Sequence, residues 1–311
     1  MLRIAMRAGL NKMNKELKFA FFGTPDVASE TLEILKQNDY VPSLIVTSPD
    51  KPQGRKMLVT SPPVKIWAEK NNISYIQPED LKEGMNIVFK NIAQADGPSI
   101  ATNQQIGMRV LKNNVHPDLF IVVAYGKIIP ENIINMPKLG SINIHYSLLP
   151  KYRGASPVES AILNGDTETG VTIQKMELKM DSGPIIAQEK VVIFPDEKAS
   201  DLRKRLIKIG GELLIKILPD FVSGTIKATP QNGSKASVCK KIKKEDGLIN
   251  LEKESPSVLY NKFRAYATWP RIFFFKNGKR IIITDAILKN NQFIIKKIIP
   301  ENGKEMDYKI T

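Results

Sequence analysis

Six consecutive apolar residues, Leu119–Ala124 (LFIVVA), constrain the fold of this 311-residue chain more than any other stretch. A run of that length bounded by polar residues reads as a strand buried on both faces. Such a strand needs a covering layer on each side. Lys18–Phe22 is a second short apolar strand, and it ends in Gly23-Thr24-Pro25-Asp26, a turn leading into a helix from Val27 to Lys36. Val41–Thr47 reads as a strand, Ser48–Pro63 as a long Pro-, Gly- and Lys-rich loop, and Val64–Lys70 as a helix. Ser141–His145 is another strand. Ser156-Pro157 opens a helix to Leu163, two strands follow at Val171–Met176 and Ile185–Val192, and a helix runs from Ser200 to Leu218. This alternation predicts an α/β fold, a Rossmann-like and mostly parallel sheet with helices on both faces. Glu83–Asn114, broken by Gly97-Pro98, fits no single element.

The end of the chain reads differently. Ser223–Ser237 is rich in Gly, Ser, Thr and Pro and reads as a linker. Beyond it, Ile272–Phe275, Arg280–Ile283 and Phe293–Ile298 read as short strands joined by tight turns such as Asn277-Gly278, which predicts a small barrel-like β domain. The expected organisation is an N-terminal extension over 1–17, a catalytic domain over 18–222, a linker over 223–239 and a C-terminal domain over 240–311. The extension is basic and resembles a transit peptide, but an upstream start ahead of Met13, which lies just before the first strand, is the preferred reading, and the stretch is left out of the fold.

Charge follows the same division. Residues 225–311 hold 18 Lys and Arg against 8 Asp and Glu, residues 1–18 hold 5 against 1, and residues 19–224 hold 23 of each. The whole excess of +14 therefore sits on the two ends. A basic C-terminal third suits a polyanionic partner, since Lys and Arg that neutralise phosphates release counterions. A merely solubilising surface is the alternative. Aromatics are only 7%, which argues against a binder built on base stacking. Cys239 is the only cysteine, so no internal disulfide can form and a reducing, cytoplasmic setting is expected. No apolar run is long enough to span a bilayer.

In an open α/β sheet, ligands bind beyond the carboxyl ends of the strands. Two such ends carry unusual residues: Tyr125-Gly126-Lys127 after LFIVVA, and Asn143-Ile144-His145-Tyr146-Ser147-Leu148-Leu149-Pro150. Side chains alternate along a strand, so Asn143 and His145 share a face. An amide beside an imidazole at a strand end suits an oxyanion donor and a proton-transfer group; the bland alternative is a turn histidine bonded to backbone. His116 precedes Pro117 at the amino end of a strand, the wrong end for catalysis. Two histidines and one cysteine are too few for an ordinary zinc site. Neither G-x-G-x-x-G nor G-K-[ST] occurs, which excludes the usual dinucleotide and P-loop readings. Asp181 sits at the apex of a polar turn, Lys179-Met180-Asp181-Ser182-Gly183-Pro184, where it is either a plain turn residue or a carboxylate within reach of the histidine.

Taken together, FFGTPDVASETLEIL, TSPDKPQGR followed by SPPVKIWAEK, PDLFIVVAYGKIIP, GSINIHYSLLPKYRGASPVESAILNGDTETGVTI and MDSGPII resemble the methionyl-tRNA formyltransferase family, in its order, from Phe19 to Leu218. A weaker match continues through CKKIKKEDGLI, FRAYATWP and NGKRIII. N-x-H-x-S-L-L-P-x-x-R-G with a downstream D-x-G is specific to folate-dependent formyltransferases; the P-D-K-P-x-G-R loop and the basic C-terminal domain narrow it to the tRNA-directed member. The resemblance implies that Asn143, His145 and Asp181 are catalytic. It implies that Ser147, Leu148, Leu149 and Pro150 line a folate site together with Tyr125 and Gly126, and that Lys51, Arg55 and Lys56 approach the acceptor end of a tRNA. It further implies 10-formyltetrahydrofolate as donor, the α-amino group of charged initiator tRNA as acceptor, no metal, no membrane partner, a monomer, and a C-terminal barrel of the OB type holding the tRNA.

The chain departs from that pattern in places. Tyr146 stands where a small residue is usual and Lys56 where a glycine is usual. Residues 84–114 are longer than the norm, and the chain ends at Thr311 short of the usual last segment. Two other readings share much of the pattern: a formyltransferase or formyl-folate hydrolase acting on a small substrate, and a catalytically silent RNA-binding protein on the same scaffold.

Overall fold

The computed structural model describes residues 17–53, 57–81 and 117–309. The extension up to residue 16, the ambiguous Glu83–Asn114 and the site candidates Arg55 and Lys56 lie outside the described residues. The chain divides into two compact units. The first comprises residues up to His145 with Thr172–Gln188 and Ile207–Gln231; the second comprises Tyr146–Val171, Glu189–Leu206 and Asn232–Thr311.

The first unit is organised by the apolar runs. β1 (Phe19–Gly23) and β6 (Leu119–Val123) are buried at every residue and pair in parallel, Phe19 opposite Leu119 and Gly23 opposite Val123. β2 (Leu44–Val46) and then β5 (Tyr75–Ile76) extend the sheet in parallel on one side of β1, and β7 (Ser141–His145) does so beyond β6. β9 (Glu168–Lys175) pairs antiparallel with β7, and β10 (Ile185–Val192) completes the order β10-β9-β7-β6-β1-β2-β5. One face packs Phe22 against Phe120 and Tyr125, with ring centroids 4.9 and 5.5 Å apart. Each such fully buried aromatic or aliphatic side chain contributes about 1.5–3 kcal/mol of transfer free energy. The mostly parallel α/β sheet expected from the sequence is therefore present.

Helix α1 (Asp26–Gln37) buries Ala28, Thr31, Leu32 and Leu35, a spacing of one helical stripe. It starts directly from the end of β1, and Gly23 makes that tight approach feasible. A Cβ there would lie 2.5 Å from the Ala28 Cβ and 2.7 Å from Phe21. The region read as one long loop contains a hairpin, β3 (Lys51–Gln53) with β4 (Leu58–Thr60), ahead of α2 (Pro63–Lys70). A short helix, α3 (Glu131–Ile134), follows β6.

The second unit contains α4 (Pro157–Leu163) and a two-residue parallel pairing of β8 (Arg153–Gly154) with β11 (Val238–Cys239). The long helix α5 spans Ala199–Val222. It continues one turn past the expected end at Leu218, through Pro219, because Leu218 and Phe221 remain buried along its stripe. Helix α6 (Pro256–Ala265) was not expected. It begins at Ser255, whose hydroxyl accepts from the Val258 N–H, and it buries Leu259, Tyr260 and Phe263. The small C-terminal β domain is a four-stranded antiparallel sheet of β12 (Phe273–Lys276), β13 (Lys279–Lys289), β14 (Gln292–Pro300) and β15 (Met306–Asp307). Its two-residue loops, Asn277-Gly278 and Asn290-Asn291, have positive φ at both positions (53° and 73°, 51° and 57°), as hairpin turns of type I′ require.

Candidate active site

β7 ends on a polar face. Asn143 and His145 point to the same side, and their antiparallel partners on β9 are Gln174 and Thr172. Directly opposed residues share a face, so the strand pair presents an amide, an imidazole, a hydroxyl and a second amide together. The opposite face carries Ile142, Ile144 and Ile173, all buried. This alternation fixes the register, because a slip of one residue would send the polar set into the core. Thr172 is tied in turn: its Oγ1 accepts from the Gln188 Nε2 at 2.8 Å. His145 is buried at 5% exposure, whereas Asn143 is half-buried.

The third member comes from the turn between β9 and β10. Asp181 has φ of 51°, left-handed for a residue that is not glycine, and its Oδ2 lies 3.7 Å from the Nδ1 of His145. That is an ion-pair distance, longer than a hydrogen bond. Its other oxygen, Oδ1, accepts from the Gln174 Nε2 at 3.0 Å. The loop closes so tightly that only glycine fits at 183, where a Cβ would fall 1.9 Å from the Lys175 carbonyl oxygen. Of the residues expected from the sequence, then, Asn143, His145 and Asp181 are brought together.

The expected folate-lining residues divide by environment. Tyr125 is a core residue with its ring against Phe22; burial holds its hydroxyl pKa far above the usual range. The Tyr125 carbonyl accepts from Thr24 Oγ1 at 2.9 Å, and Gly126, exposed, has φ of 81°. In the second unit, Ser147 is fully buried and donates its hydroxyl to the Lys151 carbonyl at 2.6 Å, closing the turn. Leu149 is buried, while Leu148 and Pro150 are half-buried. Leu148 packs onto Gly170, where a Cβ would come within 2.5 Å of its Cδ2.

Lys51 lies on the hairpin strand β3 and is exposed. The hairpin has an exposed apolar edge of Met57, Leu58 and Val59, and beside its base Asp50 accepts from Lys65 Nζ at 2.7 Å, Gln77 Nε2 at 2.8 Å and Ser61 Oγ at 3.1 Å. Burial pushes the Asp50 pKa up, but these donors together outweigh it and hold it below its ordinary value. Asp50, Gln174 and Gln231 are residues that sequence reasoning missed. For Asp50 the P-D-K-P-x-G-R loop in which it stands was the only signal.

Among the described residues, no group of three or more His, Cys, Asp or Glu is placed to hold a metal ion, and no helix is long and apolar enough to cross a membrane. The fold and the strand-end site define an enzyme that transfers a formyl group: the Formyl transferase family matches residues 17–218, and the family of its C-terminal domain matches residues 241–307. A methionyl-tRNA formyltransferase of Thermotoga maritima is 40% identical over 254 residues, 82% of this chain and 74% of the relative. One of Chloroflexus aurantiacus is 37% identical over 271 residues, 87% and 80% respectively. The chain belongs to the methionyl-tRNA formyltransferase family. Among solved structures the fold recurs in WlaRD, a sugar 3N-formyl transferase crystallised with dTDP and 5-N-formyl-THF (TM-score 0.60, 21% identity, 88% of this chain and 87% of that one). It recurs also in a 4-N formyltransferase from Francisella tularensis (TM-score 0.60, 20% identity, 89% and 96%).

Proposed function

We propose that this enzyme transfers the formyl group of 10-formyltetrahydrofolate to the α-amino group of methionyl initiator tRNA. The observation that carries the reading is the grouping of Asn143, His145 and Asp181 at the carboxyl end of β7, in a chain whose relatives bear that activity in their names. The free amine attacks the formyl carbon, and the carbonyl oxygen becomes an oxyanion. Asn143, half-buried at the strand end, donates a hydrogen bond to it. Preorganised donors of this kind act on charge that develops only in the transition state. His145 takes the proton from the attacking nitrogen and returns it to the folate nitrogen as the C–N bond breaks. Asp181 faces Nδ1, so the ring's other nitrogen is the one that serves the reacting atoms. The formyl group passes from the folate nitrogen to the amine and one proton passes the other way, so the step balances, and no covalent enzyme intermediate is required.

We assign Tyr125, Gly126, Ser147, Leu148, Leu149 and Pro150 to folate binding. Lys51, with Arg55 and Lys56, would approach the acceptor end of the tRNA. We assign residues 18–222 to catalysis, 223–239 to the connection and 240–311 to the tRNA body, whose phosphates suit the positive C-terminal charge.

The test is an assay with labelled formyl-folate, charged initiator tRNA and a panel of free amino sugars. Transfer to the charged tRNA is expected. Transfer to an amino sugar instead, the activity named for WlaRD, would overturn the acceptor assignment while leaving the chemistry in place.

A further inference from the structure

Asp181 occupies a backbone conformation that is uncommon outside glycine. Two amides from outside the loop bond to it, one to its carbonyls and one to the Asp181 carboxylate. The Gln231 Nε2 donates to the Asp181 carbonyl at 2.9 Å and to the Gly183 carbonyl at 2.8 Å. The same nitrogen contacts the Gln174 Oε1 at 3.2 Å. Gln174 is buried at 2% exposure, and with its oxygen held there its own Nε2 points at Asp181 Oδ1. The chain is thus Gln231 to Gln174 to Asp181, ending with the second carboxylate oxygen turned towards His145. Gln231 is itself anchored two residues earlier, where Thr229 and Ile185 exchange two backbone hydrogen bonds of 2.8 Å each.

We infer that Gln231 is a positioning residue for the reaction: through Gln174 and the loop carbonyls it sets where the Asp181 carboxylate stands relative to His145. A glutamine suits the task because its NH₂ carries two N–H bonds, shared here among three acceptors clustered on one side. A carboxylate at the same position would bring only lone pairs to two carbonyl oxygens and add charge beside Asp181. Methionine would keep the length and remove the donors. The inference rests on the reading of Asp181 as part of the reacting set, and it does not depend on which amine accepts the formyl group.

The experiment uses the full chain and compares wild type, Gln231→Met, Gln231→Glu, Asp181→Ala and the Asp181→Ala/Gln231→Met double variant. Each is measured for single-turnover rate, for KM of the formyl donor, and for hydrogen exchange across residues 176–184. Gln231→Met should speed exchange in that segment and lower the rate by about 10- to 100-fold, the scale of a misplaced catalytic group. Donor KM should stay within about threefold of wild type, an effect confined to the reacting step. Gln231→Glu should be at least as slow as Gln231→Met. In the Asp181→Ala background the second substitution should cost nothing more, since both act through one carboxylate. If Gln231→Met does not fold, Gln231→Ala, which only trims a half-buried side chain, gives the same comparison. Unchanged exchange across 176–184, a loss confined to KM, or losses that add in the double variant would each overturn the inference. Were an amino sugar the true acceptor, the same rates would be read with it, so the two assignments fail separately.

Discussion

His145 and Asp181 face each other from a strand end and a loop apex, with Nδ1 and Oδ2 3.7 Å apart. The gap is longer than a hydrogen bond. Removing either partner should slow the chemical step more than it weakens donor binding. His145→Ala should lose about 10²–10⁴-fold in single-turnover rate, the range proton transfer supplies. Asp181→Asn should lose about 10²-fold, the lower end of that range. Wild-type rates in His145→Ala would remove the imidazole from the mechanism.

Asn143→Ala should lower kcat by about 10²–10³-fold with donor KM nearly unchanged, because its amide is engaged only when the oxyanion forms. A matching rise in KM with normal kcat would make Asn143 a substrate-binding group instead.

Gly183→Ala should destabilise the Asp181 loop. Its Cβ would collide with the Lys175 carbonyl, and backbone cannot step aside as a flexible side chain can. Overpacking of this kind costs about 1–3 kcal/mol. The thermal midpoint and the turnover should fall together; a variant with normal melting and activity would show that the loop has room.

Asp50→Asn should loosen the base of the hairpin. Hydrogen bonds to charged groups contribute about 1.5–3 kcal/mol, so a destabilisation of about that size or less is expected from urea unfolding at neutral pH. The folded carboxyl is held below its ordinary value, so its stabilising contribution is present above the unfolded value of about 3.9 and lost as pH falls through the folded one. The advantage of wild type over Asp50→Asn should therefore be full near pH 6 and shrink below about pH 4. An advantage that grows in acid would contradict this account.

Lys240, Lys241, Lys243 and Lys244 form the densest run of the C-terminal charge, and all four reach solvent. Changing all four to Ala should make the slope of log affinity for tRNA against log salt shallower, by up to about one for each phosphate no longer neutralised. An unchanged slope would place the phosphate-binding surface elsewhere.

The alternating strands and helices were legible because buried strands are written as unbroken apolar runs, LFIVVA above all. His145 was legible by position and scarcity: one strand-end histidine out of two in the chain. Gln174 and Gln231 were not, because their role exists only once residues 57 positions apart meet in space. Helix α6 was missed for a local reason. Val258, Tyr260 and Phe263 are weak helix formers, and only the Ser255-Pro256 cap marks its start. β8 and β11 have two residues each, too few to show a period, and Pro52 within β3 argued against a strand there.

The pairing of Arg153–Gly154 with Val238–Cys239 has a consequence for how the molecule is made. The second unit draws on three separated stretches of chain, the last of them beginning at Asn232. On a ribosome it cannot close until that final stretch has emerged, whereas the first unit has its last segment by Gln231. Closing such a long loop adds little entropy beyond a shorter one, but it must wait for synthesis. Nascent chains from which Gln231 has just emerged should therefore protect the sheet from proteolysis while Arg153 and Gly154 still await the strand that pairs with them.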